Sequence, residues 1–214
     1  MDKIDYNFNF AHNIPALTIV FSSFGVQTYF EFKGFLSRSF PEHNFLFLKD
    51  SQRSWYYKGI KGFSNSHDET LNKLRSVISE HNFQSVYTLG MCAGGYASLL
   101  YGHLLKANRI FCFSPQTLLN GSIPSRYMKH LTRINEDYKG HRYLDLSQLD
   151  LSNDTIDLFY DPNHERDQLH VSNLISKWNN TNVVGTTGGH FVAREMRDNG
   201  RLKEVLSPYL NAYV

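Results

Sequence analysis

The sequence predicts an α/β fold: a mostly parallel sheet of about six strands with helices on both faces. Three observations carry this. Short apolar runs alternate with amphipathic runs along almost the whole chain, which is the rhythm of strand–helix–strand units. No repeat or low-complexity tract breaks that rhythm. A chain of 214 residues is also long enough for one domain with a sizeable core.

The elements follow in order. Residues 17–23 (LTIVFSS) form a run fit for a buried strand, and 28–40 (TYFEFKGFLSRSF) have apolar residues at helical spacing. Residues 44–50 (NFLFLKD) predict the next strand. The run 68–82 predicts a helix with Leu71, Leu74, Val77 and Ile78 on one face and Asp68 as its cap. Strand 85–90 (SVYTLG) leads into a helix over 95–106, and strands are expected at 109–115, 155–161 and 182–187. A helix is expected over 169–180, and the tail closes with helices broken near Gly200. The opening DYNFNF suits an added edge strand. Residues 115–153 have no clear strand and one polar, helix-like run. They are expected to be a short helical lid insertion within a single domain spanning 1–214.

Composition narrows the function classes. Twenty-two Lys and Arg balance 20 Asp and Glu, so no strong field favours nucleic acid or an anionic membrane. Only two cysteines occur, Cys92 and Cys112, too few for a disulfide framework. The N-terminal stretch lacks a basic-then-apolar leader pattern, and no apolar run approaches the ~20 residues of a membrane helix. The expectation is a cytoplasmic protein with no membrane span.

The chemistry concentrates at GMCAGG, where Gly90-x-Cys92-x-Gly94 lies between a strand and a helix. A sharp strand-to-helix turn leaves no room for side chains at the flanking positions, and glycine removes them. The N-terminus of the following helix favours an anion at Cys92. Cys112, mid-strand in FCF, is expected to be a core residue. After the strand at 155–161 come two carboxylates, Asp161 and Asp167. Asp167 could also cap the helix that follows. After the last strand, Gly188 and Gly189 precede His190 in GGHFVARE, a turn that can carry an imidazole over the sheet edge. His164 and His170 flank Asp167, with no compact metal-ligand spacing. They are expected to be solvated.

With this elbow and this order of residues the chain resembles the α/β-hydrolase superfamily, over roughly residues 17–210. Cysteine is the minority nucleophile there, found in dienelactone hydrolases and polyhydroxyalkanoate synthases. The resemblance implies a triad of Cys92, His190 and Asp167, with Asp161 the second candidate for the acid. It implies an oxyanion hole from the N–H of Ala93 and of Phe24, with Ser23 beside it. Trp55 and Tyr56, near the active edge, are expected to bind substrate. The implied reaction is cleavage of an ester or thioester through a thioester acyl-enzyme, without cofactor or metal. Its partner would be a small-molecule or acylated substrate. An acyltransferase working on a small molecule or a surface-polysaccharide precursor is the alternative. A catalytically inactive accessory protein on the same scaffold is the reading of another class.

Overall fold

In the computed structural model, residues 4–10, 14–26, 28–125, 127–175 and 181–212 are described. Seven strands form one sheet in the order β1-β3-β2-β4-β5-β6-β7. They are β1 (Tyr6–Asn9), β2 (Ala16–Phe21), β3 (Asn44–Leu48), β4 (Ser85–Met91), β5 (Arg109–Phe113), β6 (Ile156–Tyr160) and β7 (Thr181–Gly185). The six expected strands are all parallel, and DYNFNF adds the seventh as an antiparallel edge against β3. Every residue of β2, β3 and β4 is buried, as expected where helices cover both faces.

The helices are α1 (Lys33–Ser39), α2 (His67–Glu80), α3 (Ala93–Leu105), α4 (Met128–Asp137), α5 (Glu165–Ile175), α6 (Val192–Asp198) and α7 (Arg201–Leu210). Helix α1 is shorter than the apolar spacing suggested, because residues 28–32 form a turn ahead of it. The expected cap Asp68 lies inside the first turn of α2. Ser66 caps instead, its hydroxyl accepting the Glu69 N–H at 3.1 Å. Helix α5 begins four residues before the expected start, and residues 176–180 of that prediction lie outside the described residues. Among the described residues no helix is long and apolar enough to cross a membrane.

The segment 115–153 holds α4 and two short 3₁₀ turns. Leu131 and Ile134 bury one face of α4, and the Tyr138 ring packs 4.7 Å from Tyr57.

The strand order places the site. Chain order reverses around β2, whose neighbours are β3 and β4. Parallel sheets open a crevice beyond the carboxyl ends at such a point. Phe21 is in register with Gly90, so the segment after β2 lies beside the turn after β4. The loops after β6 and β7 follow along the same edge.

Candidate active site

Cys92 caps the N-terminus of α3 with φ 58° and ψ −119°, a left-handed, strained conformation for a residue with a side chain. Its backbone is tied on both sides. The Cys92 N–H donates to the Phe113 carbonyl at 3.0 Å, and its own carbonyl accepts from Tyr96 and Gln116. The flanking glycines have the steric reason the motif implied. A Cβ on Gly90 would run into the Gly94 carbonyl, and a Cβ on Gly94 into the Phe21 carbonyl. Cys92 is 4% exposed, whereas Cys112 is fully buried in β5, and burial pushes the Cys112 thiol well up.

His190 reaches the same edge in a short turn after β7. Gly188 enters that turn with φ 117°, open to glycine and closed to most other residues. The His190 Nδ1 lies 2.8 Å and 3.0 Å from the two carboxylate oxygens of Asp167. Asp167 stands in the first turn of α5 and is buried. Burial alone would disfavour a charged imidazole. Hydrogen bonds to Asp167 and to Cys92, with the charges of both, outweigh it and push His190 up to about 10.

Asp161 has a different position. Its carboxylate accepts the N–H of Asn163 and the N–H of Gly189, both at 2.9 Å. Those amides hold it below the usual carboxylate range. It ties down the loop that carries His190, while the imidazole itself is on Asp167.

His164 Nδ1 lies 3.2 Å from Asp167. His164, Asp167 and His190 each offer a ligand atom within 4.8 Å of the others. Asp167 is already committed there to His190 Nδ1, and all three groups fit a hydrogen-bonded carboxylate–imidazole cluster. His170 is not solvated as its sequence setting suggested. It is buried, with its Nδ1 accepting the Thr117 N–H at 3.2 Å. Burial pushes it down to about 4.

The candidate oxyanion donors separate into two kinds. Ala93 is the first residue of α3, so its N–H has no intrahelical partner. The Phe24 N–H has no protein partner among the described residues. Ser23, the neighbouring candidate, has its donors turned elsewhere. Its N–H donates to Glu31 Oε2 at 2.8 Å, and its hydroxyl lies 2.5 Å from the same oxygen. The Ser22 hydroxyl accepts the Glu31 N–H at 3.1 Å. Both serines are therefore engaged with Glu31, a residue that the sequence did not single out. Burial raises the Glu31 carboxyl, against hydrogen bonds from Ser23 and the charges of Arg194 and His190.

Trp55 and Tyr56, expected to bind substrate, are each 1% exposed. The Tyr56 hydroxyl donates to the Ser22 carbonyl at 2.8 Å. The Trp55 ring packs 4.4 Å from Phe24, and its indole N–H donates to Gln116. They brace the loop after β2 from behind. Both have positive φ, and the Asp50 carboxylate holds this turn by accepting the N–H of Ser54 and of Tyr56.

Two clefts flank the site. One, of about 290 Å³, is lined by Asp167 and His190 together with Pro124, Ser125 and Tyr127 from the 115–153 segment. The other, of about 330 Å³, lies between α1 and α6 and includes Glu31 and Met91, the residue before Cys92.

No protein-family model and no curated protein matches the chain. Solved structures do. The Glycosylation Associate Protein (Gap123) complex from Streptococcus agalactiae is similar at TM-score 0.69 and 19% identity, over 94% of this chain and 44% of that one. This chain thus spans less than half the length of that relative. The capsule O-acetyltransferase of Neisseria meningitidis serogroup A is similar at TM-score 0.69 and 16% identity, over 99% and 92% of the two chains. That enzyme has also been solved in complex with CoA. MGS-MChE2, an α/β hydrolase from the metagenome of sediments of the Mar Chica lagoon, Morocco, is similar at TM-score 0.61 and 12% identity, over 97% and 96%. At these identities the likeness is one of architecture: the chain has the α/β-hydrolase fold.

Proposed function

We propose that the chain is an enzyme that cleaves an ester or thioester through an acyl group carried on Cys92. The observation that carries this reading is the His190 Nδ1 held 2.8 Å from the Asp167 carboxylate, with the interactions of Asp167 and Cys92 both favouring a charged imidazole. The Cys92 thiolate attacks the acyl carbonyl. The tetrahedral oxyanion is held by the N–H groups of Ala93 and Phe24. The bond to the leaving group breaks, and His190 gives that group its proton. Asp167 keeps the imidazole oriented and stabilises its positive form. Water or an acceptor hydroxyl then passes a proton to His190 and attacks the thioester, and Cys92 is regenerated.

Transfer to an acceptor is the second reading. Two clefts flanking one nucleophile suit a donor and an acceptor, and a capsule O-acetyltransferase is among the similar structures. An acylated surface sugar is a product of that class. On this reading the 115–153 segment acts as a lid on the acceptor side, where it contributes Pro124, Ser125 and Tyr127. The accessory-protein reading has a counterpart in the Gap123 complex. Against it, this chain has a sterically complete elbow and an engaged histidine.

Intact-protein mass spectrometry after brief exposure to an activated acetyl ester tests the proposal. An added acetyl group on Cys92, absent in Cys92→Ala, is the expected result. An unmodified Cys92 together with no turnover would favour the accessory reading.

A further inference from the structure

The cleft between α1 and α6 has an unusual charge balance. Arg38, Arg194 and Arg197 line it, and Glu31 is its only carboxyl among the described residues. The chain as a whole carries a formal charge of only +2, so general basicity does not account for three guanidinium groups in one cleft. Arg197 is paired with Asp198 at 2.7 Å. Arg38 and Arg194 have no ion pair among the described residues. Arg194 lies 5.0 Å from the Phe191 ring centroid. Glu31 is a single carboxyl against three guanidinium groups, and its Oε2 is turned to both donors of Ser23. Guanidinium groups bind phosphate through paired, charge-assisted hydrogen bonds. Tyr29, 59% exposed, adds an aromatic face to the lining.

The cleft's position gives that anion site a use. Met91 is in its wall, and Cys92 follows directly in the chain. A ligand anchored on the arginines would therefore have its far end near the elbow that carries Cys92.

We infer that the Arg38–Arg194–Arg197 cleft binds the phosphates of an acyl donor, so that the substrate is a phosphate-bearing thioester of the coenzyme A type. This deepens the proposed function and rests on it. In the donor half-reaction Cys92 displaces the carrier: the carrier's C–S bond breaks, a C–S bond to Cys92 forms, and the departing carrier thiolate takes its proton from His190.

Calorimetry on Cys92→Ala tests the site without turnover. Coenzyme A is expected to bind at least tenfold more tightly than pantetheine, which lacks the nucleotide phosphates. Added Arg38→Ala and Arg194→Ala are expected to remove that advantage, and Arg38→Lys with Arg194→Lys to restore part of it. If the alanine variant does not fold, competition by inorganic pyrophosphate on Cys92→Ala gives the same reading. Equal binding of coenzyme A and pantetheine, or binding indifferent to the arginines and to pyrophosphate, overturns the site. Arginine-dependent binding of a sugar phosphate without binding of coenzyme A overturns the donor assignment. Covalent acetylation of Cys92 in the wild-type protein by excess activated acetyl ester, a reaction that does not depend on the cleft, is measured in parallel. Its absence would count against the Cys92 reading and leave the calorimetric result to judge the cleft.

Discussion

Glu31 holds both donors of Ser23 with one oxygen, the backbone N–H at 2.8 Å and the hydroxyl at 2.5 Å. The Ser23 hydroxyl is also 3.1 Å from the Met91 carbonyl. Its one proton is shared between those two acceptors. The pair bridges the loop after β2 to the elbow after β4, and the Phe24 N–H is the next amide of that loop, without a protein partner among the described residues.

Glu31→Ala is therefore expected to lower kcat about tenfold or more, since a displaced oxyanion donor costs on the order of 10²-fold at most sites of this kind. Glu31→Gln retains an acceptor for the Ser23 N–H and no charge, and should stay within about threefold of wild type. Steady-state kinetics on one activated ester compares them. A glutamine variant as impaired as the alanine variant would show that a carboxylate is required.

The two acids are separable by their partners. Asp167→Asn leaves His190 without its carboxylate and is expected to reduce kcat by 10²-fold or more, on the order seen when a triad acid is neutralised. Asp161→Asn loosens only the loop amides of Asn163 and Gly189 and should cost about tenfold or less. Imidazole NMR provides an independent check: the His190 titration, expected well above that of a free imidazole in the wild type, should fall in Asp167→Asn and stay in place in Asp161→Asn. The reverse pattern would make Asp161 the acid.

Iodoacetamide should label Cys92 and spare the fully buried Cys112. Removing the imidazole in His190→Ala is expected to slow labelling of Cys92 about tenfold or more at pH 7, read by peptide mass spectrometry. Labelling indifferent to His190 would deny the pair its chemistry.

Gly94→Ala pushes a methyl group into the Phe21 carbonyl of β2. Backbone cannot yield as a side-chain tip can, so a loss of about 3 kcal/mol or complete misfolding is expected in urea titration. Cys92→Ser keeps the elbow backbone and should unfold within about 1 kcal/mol of wild type.

His170 is buried neutral, pushed down to about 4 from 6.5. The unfolded chain takes up a proton below pH 6.5 that the folded site refuses, so this residue withdraws stability as pH falls from 6.5 to 4. The shift corresponds to about 3 kcal/mol. The stability advantage of wild type over His170→Asn should shrink by up to that amount between pH 7 and pH 4, measured by urea unfolding at both values. A constant difference would mean that His170 is protonated in the folded protein.

Much of the scaffold was legible in the sequence because its causes are local. Alternating apolar and amphipathic runs specify strands and helices through the periodicity of side chains along the backbone. Gly90 and Gly94 specify a tight turn through sterics within five residues, and Gly188 and Gly189 do the same ahead of His190. The tertiary structure decided what depends on residues far apart in sequence. Which carboxylate meets His190 is decided by the start of α5, which aims Asp167 at the ring and leaves Asp161 to the loop amides. That Ser23 is spent on Glu31 depends on a turn, ahead of α1, that periodicity read as helix. Trp55 and Tyr56 are expected near substrate from the sequence, and only their long-range contacts with Ser22 and Phe24 show that they brace the Ser22–Phe24 loop from the core. A buried donor takes whichever acceptor folding brings within about 3 Å, and no local pattern records that choice.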